Sequence, residues 1–309
     1  MRTALSVTAL TRRFAATGLT MARNTRGLSN VSLSVPIGAC FGFVGPNGAG
    51  KTTFIKVILG LIRADSGTIS VLGLPHGDVA WRMRVGYLPE QPYFYDHLSA
   101  SEYLDLAGRL FGLSAVERRD RSKALLGRLG LGASGNVAMR KFSKGMLQRL
   151  GVAQALINDP ELIILDEPMS GLDPLGRRDL RQLFLELRDR GKTLFFSSHI
   201  LSDIESLCDS VALLRDGMLV AAGSLSEVLK VDTEHMELTI ALPANVAPSF
   251  LPPLPRVFLG DERHRFDVPA AGVFQVLAEA ERVGGRVVSV QPVRKTLEEF
   301  FVQGIDRAQ

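Results

Sequence analysis

Gly45-Pro46-Asn47-Gly48-Ala49-Gly50-Lys51-Thr52 has the form GxxxxGK[ST] and stands between two apolar runs of different period. Upstream, Cys40-Phe41-Gly42-Phe43-Val44 is short and apolar, as a buried parallel strand is. Downstream, Phe54, Ile58, Leu61 and Ile62 fall on one helical face. The predicted order is strand, glycine loop, helix, which puts the loop where a helix N-terminus points at an anion. Glycine is needed because successive N–H groups must face inward around phosphate oxygens, in conformations that a Cβ obstructs. Lys51 then supplies a point charge to β- and γ-phosphates, and Thr52 a hydroxyl to a magnesium ion. The stretch from Gly45 to Thr53 is thus expected to bind a nucleoside triphosphate together with its metal.

A second constellation follows far downstream. Leu162-Ile163-Ile164-Leu165-Asp166-Glu167-Pro168 ends an apolar strand with two carboxylates. Adjacent strand side chains project to opposite sides, so the two are expected to have different tasks. Asp166 is placed to hold magnesium, directly or through water. Glu167 is placed to polarise the water that attacks the γ-phosphate, since phosphoryl transfer asks mainly for positioning and charge stabilisation.

The bulk composition sets bounds. The 309 residues leave room for one large α/β domain and a smaller appendix, and 46% apolar content suffices for a substantial core. The net charge of +4 is dispersed, as in Arg118-Arg119-Asp120-Arg121, which fits solvated faces better than a nucleic-acid surface. Cys40 and Cys208 have no spacing suited to a metal or a disulfide framework, so a reducing cytosol fits. The N-terminal segment reads as a first strand rather than a targeting signal. No run of about eighteen apolar residues occurs, so the chain is not expected to span a bilayer.

Texture divides the chain further. Residues up to about 90 carry strand signals such as Val31 to Val35 and end at Val85-Gly86-Tyr87-Leu88-Pro89. Residues from about 91 to 160 are helical by periodicity, with Leu104, Leu106, Leu110 and Phe111 in one segment and Leu125, Leu126 and Leu129 in the next. From Leu162 strands and helices alternate, which predicts a largely parallel sheet covered by helices. After about Lys230 prolines interrupt the pattern. A strand near Arg265 to Val268, a helix over Val273 to Arg282, a strand over Arg286 to Val290 and a last helix near Leu297 to Phe301 predict a small α/β appendix.

In identity and order these motifs resemble those of an ABC transporter ATPase subunit, and the resemblance runs from Val7 to about Lys230. Phe142-Ser143-Lys144-Gly145-Met146 stands where that family carries its LSGGQ signature. Ser170-Gly171-Leu172-Asp173 matches its D-loop and Ser197-Ser198-His199 its switch histidine. The resemblance implies a P-loop NTPase of the ABC type over residues 1–230, with a helical subdomain over about 91–160 and an accessory domain over 231–309. It implies ATP and Mg2+ as cofactors and Glu167 and His199 as the catalytic pair. It further implies that Ser143 and Gly145 serve the nucleotide of a second copy, and it counts Asp173 of the D-loop among the nucleotide-binding residues.

Phe14, at the end of Leu10-Thr11-Arg12-Arg13-Phe14, matches the adenine-stacking aromatic, ahead of a basic loop from Ala16 to Arg26. Tyr87-Leu88-Pro89-Glu90-Gln91 departs from the family at the Q-loop, where Glu90 takes the glutamine's place and Gln91 follows one residue late. Either side chain has an oxygen that can reach magnesium. Lys144 replaces a glycine of the signature and Met146 a glutamine. Read alone, Ser143 is equally a plain helix cap. The aromatic stretch Tyr93-Phe94-Tyr95 suits either packing beneath the helical subdomain or anchoring to a membrane-spanning subunit.

As the resemblance has it, the partners are such a subunit and a second nucleotide-binding copy, at the cytoplasmic face of the membrane, with no nucleic acid. A soluble ABC ATPase acting on ribosomes or nucleic acid usually carries paired nucleotide domains or long coiled coils, and this sequence shows neither. A regulatory module that binds ATP without turnover is opposed by the retention of Lys51, Asp166, Glu167 and His199.

Overall fold

The computed structural model describes residues 2–14, 27–225, 235–243 and 256–292. The chain divides into two compact units with the boundary after Leu225. The first unit begins with β1 (Thr3–Arg12), β2 (Leu28–Pro36), β3 (Cys40–Val44), α1 (Lys51–Ile58), β4 (Ser66–Val71), β5 (Leu74–Pro75) and β6 (Val85–Leu88). Three helices follow: α2 (Ala100–Leu110), α3 (Ala115–Arg128) and α4 (Lys144–Leu156). It closes with β7 (Leu162–Asp166), α5 (Pro174–Asp189), β8 (Thr193–Ser198), α6 (Leu201–Leu207), β9 (Ser210–Arg215) and β10 (Met218–Ser224).

Two sheets result. The larger has the order β10-β9-β3-β8-β7-β6; from β9 to β6 every neighbour is parallel, and β10 adds an antiparallel edge. Every residue of β3, β7 and β8 is buried, because helices cover both faces and no solvent side needs polar alternation. The expected parallel sheet is this one. β1, β2, β4 and β5 instead form a separate antiparallel sheet, in which β2 alternates buried and exposed positions. Of these, β4 and β5 are joined by the tight turn Leu72-Gly73, which only an antiparallel pair can use.

An aromatic cluster fixes the helix behind the glycine loop. The rings of Phe43 and Phe54 lie 4.7 Å apart and those of Phe43 and Phe195 5.3 Å apart, which ties α1 to β3 and β8. Phe54 is fully buried, worth about 2–3 kcal/mol of apolar transfer. The helix is shorter than its apolar spacing predicts: α1 stops at Ile58, and Gly60 takes φ +71°, a left-handed turn that ends it. Leu61 and Ile62 therefore lie beyond the helix, and Leu61 is 63% exposed.

In the helical segment Ser99 with Glu102, and Ser114 with Glu117, form reciprocal capping boxes that start α2 and α3. Leu104 faces the core, whereas Leu106 and Leu110 of the same helix are exposed. Cys208 lies just past the end of α6, not inside a helix, and its Sγ is 3.7 Å from Cys40 Sγ in the interior. No helix among the described residues is long and apolar enough to cross a membrane.

The second unit holds β11 (His235–Ala241), β12 (Arg256–Gly260), β13 (Arg263–Pro269), α7 (Val273–Arg282) and β14 (Arg286–Pro292). Its sheet is antiparallel in the order β12-β13-β11-β14. Leu238, Ile240, Phe266 and Val268 pack with Val273, Val276 and Ala280 of α7 into a core of its own. The expected helix near Leu297 and the basic loop from Ala16 to Arg26 lie outside the described residues.

Candidate functional site

The glycine loop joins β3 to α1. Gly45, Ala49 and Lys51 are buried, Pro46, Asn47 and Gly48 are exposed at its crown, and Gly50, Thr52 and Thr53 are half-buried. Two glycines are structurally obligatory. A Cβ on Gly45 would fall 2.3 Å from Leu214 O, and Gly50 takes φ +106° at the N-cap of α1. The free N–H groups of the first helical turn thus open toward the loop's concavity. Lys51 Nζ donates to Gly45 O at 2.7 Å and Pro46 O at 3.4 Å and stands 3.7 Å from Glu167 Oε1.

The two carboxylates follow β7, but not by simple strand alternation. Asp166 is the last strand residue and is wholly buried; Glu167 turns into the left-handed region at φ +50°. A residue before proline avoids the right-handed helical region, and this one also departs from extended geometry. Its N–H is held by Ser197 O at 3.2 Å and Ser197 Oγ at 3.1 Å. Gln148 Nε2 donates to Glu167 O at 3.4 Å and Pro168 O at 2.9 Å. His199, after β8, places Nδ1 2.9 Å from Glu167 Oε2. Three separate chain segments therefore bring Lys51, Asp166, Glu167 and His199 to one place.

Electrostatics separate the two acids. Burial pushes the Asp166 carboxyl above the ordinary carboxylate range; hydrogen bonds from Ser197 and Thr52 pull it back, and the Glu90 charge raises it further. Burial likewise raises Glu167, against the pull of the His199 hydrogen bond and the His199 and Lys51 charges. Asp166 Oδ1 accepts from Ser197 Oγ at 2.5 Å, whereas Oδ2 is buried with no hydrogen-bond partner. A donor-free carboxylate oxygen beside a threonine hydroxyl suits a hard cation that keeps most of its waters. The Glu90 charge also adds to the rise of the Tyr87 phenol, after burial and Asp166, so Glu90 stands within electrostatic reach of this acid. Glu90 and Gln91 are both exposed.

Ser143, Gly145 and Asp173 form a second group. Ser143 Oγ caps α4, accepting from Met146 N at 3.2 Å; Asp173 Oδ1 caps α5, accepting from Gly176 N at 2.9 Å. The two caps adjoin: a Cβ on Gly171 would meet Lys144 Cε at 2.7 Å, and one on Gly145 would meet Leu172 at 3.5 Å. Within one copy, the plain cap reading of Ser143 is what the hydrogen bonds show. Phe14 has the Arg12 guanidinium 4.8 Å above its ring, and Asp65 steadies that strand end by accepting from Arg12 Nη1 and Arg13 N. Sequence reasoning gave no role to Ser197 or Gln148. The signal for Ser197 is a register, Asp166 opposite Ser197, which exists only once β7 and β8 are neighbours, and Gln148 reaches the acidic turn only once α4 packs there.

Residues 28–170, from the start of β2 through the acidic turn, match the ABC transporter family. An uncharacterised ABC transporter ATP-binding protein of Nostoc sp. is 45% identical over 94% of this chain and 87% of its own length. The chain belongs to the ABC transporter ATP-binding proteins. The Nod factor export ATP-binding protein I of Cupriavidus metallidurans is 38% identical over 69% of this chain and 73% of its own. A solved ATP-binding subunit of an ABC transporter superposes with TM-score 0.64 at 35% identity, covering 73% of this chain and 92% of that one. As an ABC ATPase this chain is the ATP-binding, transport-coupled subunit, and its fold is the ABC ATPase fold with an added C-terminal sheet.

Proposed function

We propose that the chain is the hydrolysing subunit of an exporter, two copies closing head to tail around magnesium ATP beneath a separate membrane-spanning subunit. The convergence on Glu167 carries the reading: one oxygen faces Lys51 at 3.7 Å and the other faces His199 at 2.9 Å. A carboxylate so placed between a phosphate-seeking ammonium and an imidazole can take a proton from water lined up on a γ-phosphate. His199 orients that water, and the loop from Gly45 to Thr53 cradles the phosphates through its N–H groups. Phe14 stacks on adenine, with Arg12 already lying over the ring. Asp166, Thr52 and Glu90 would hold Mg2+, which when bound would supply neutralisation of phosphate charge.

The capped N-terminus of α4 and the adjoining Asp173 make the second phosphate-binding surface, used by the opposite copy. Closure then follows from ligand that binds both surfaces at once. Export rests on kinship with the Nod factor export protein. A groove of about 260 Å³, lined by Leu59, Leu61, Trp81, Arg82, Val85 and Tyr87, supports docking of a membrane subunit, because an exposed leucine at its rim offers apolar surface. The chain then sits peripherally on the cytoplasmic side, and residues after about 230 form its accessory domain.

Light scattering tests the composite site. The Glu167→Gln variant with ATP and Mg2+ is expected to run as a dimer, and adding Ser143→Glu is expected to return it to monomer. A nucleotide-loaded monomer in the single variant overturns the two-copy arrangement.

A further inference from the structure

Ser197 is fully buried on a strand whose preceding residues, Leu194, Phe195 and Phe196, are apolar. A hydroxyl in that setting costs desolvation unless both its functions are used. Here they are. It donates to Asp166 Oδ1 at 2.5 Å, the short distance of a charge-assisted bond, and accepts from Glu167 N at 3.1 Å. One side chain thereby touches both acids, at the point where Glu167 enters its strained φ of +50°. The neighbouring Ser198 does something else: its Oγ accepts from Ile200 N at 2.9 Å and shapes the turn after His199.

We infer that Ser197 is a positioning residue for hydrolysis, its hydroxyl holding Asp166 Oδ1 so that Oδ2 alone is presented to the metal while Glu167 is pinned beside it. The inference rests on reading Asp166 as the metal-holding acid. Asp166 Oδ1 is occupied by the serine and Oδ2 has no donor, so the hydroxyl decides which oxygen is available. Without it Oδ1 loses its short charge-assisted bond, and the Thr52 hydroxyl is left to steady the buried carboxylate alone. The backbone bond from Glu167 N to Ser197 O, at 3.2 Å, does not depend on the side chain, so the strand pairing itself survives substitution.

The test separates metal use from folding. Nucleotide affinity is measured with a fluorescent ATP analogue in EDTA and again across a magnesium titration, beside ATPase rates. Ser197→Ala is expected to bind within about twofold of the parent in EDTA. Its magnesium requirement for tightened binding and for turnover is expected to rise about tenfold or more, the usual cost of losing a partner of a metal ligand. Ser197→Thr, which keeps the hydroxyl, is expected to restore both.

An unchanged magnesium requirement in Ser197→Ala overturns the inference. So does lost binding in EDTA, which makes the serine a folding residue, or a defect that threonine does not repair, which makes it a packing one. Asp166→Asn is the control for the underlying reading. If it retains the parent's magnesium response, the metal assignment falls and the inference with it. If it loses that response while Ser197→Ala does not, only the serine's role falls.

Discussion

His199 Nδ1 lies 2.9 Å from Glu167 Oε2. An ionised carboxylate only accepts, so Nδ1 carries the proton and the ring is oriented by the acid it serves. Glu167 is buried and His199 is 46% exposed on its side chain, so the pair spans the boundary between the packed interior and solvent. Glu167→Gln keeps the shape and removes the base. Turnover is expected to fall about 10²- to 10⁴-fold with ATP affinity retained. Hydrolysis at the parent's rate would remove Glu167 from the reaction.

Burial raises both Asp166 and Glu167 above the ordinary carboxylate range, so the folded chain binds protons that the unfolded chain has released. The stability linked to them is fully present below the unfolded values, about pH 4, and is lost as pH rises through the raised folded values. Glu167→Gln should therefore melt higher than the parent at neutral pH, with the gain shrinking as pH falls toward about 4. Activity runs the other way, because the base must be ionised. Its acid limb is expected above an ordinary carboxylate's, and a rate flat down to about pH 4 would contradict the buried-base assignment.

Lys51 is buried between loop carbonyls and Glu167. Lys51→Ala is expected to weaken ATP binding by about ten- to a hundredfold, the worth of one charged hydrogen bond. Titration with a fluorescent nucleotide measures it, and unaltered affinity would refute the phosphate-loop reading.

Leu61 is exposed at the rim of the apolar groove and touches none of the nucleotide residues named above. Leu61→Asp is expected to change stability by no more than about 0.5 kcal/mol. Basal ATPase should persist while co-purification with the membrane-spanning subunit is lost. Intact co-purification would move the docking surface elsewhere.

Gly86 lies on β6, four residues before Glu90, and a Cβ there would fall 1.9 Å from Ala155 O on α4. Both are backbone-fixed, so neither can yield cheaply. Gly86→Ala should cost at least about 1–3 kcal/mol by overpacking and lower the melting temperature. A variant as stable as the parent would mean that α4 slides freely on the sheet.

The sequence by itself determined the local chemistry. The glycine loop, the acidic strand end and the two capping boxes are each contiguous, and their residue types answer to short-range demands: left-handed backbone, orphan N–H groups, a charge beside phosphate. The apolar runs of β3, β7 and β8 also announced a sheet covered on both faces. Register and reach were decided only in three dimensions. Leu61 shares the spacing of the buried Phe54, yet Gly60 ends the helix first. The first strands read like the later ones, yet they pair antiparallel in a sheet of their own. That Ser197 joins Asp166 to Glu167, and that His199 meets Glu167 thirty-two residues away, depends on β7 pairing with β8, a long-range choice made by packing that leaves no mark in either segment alone.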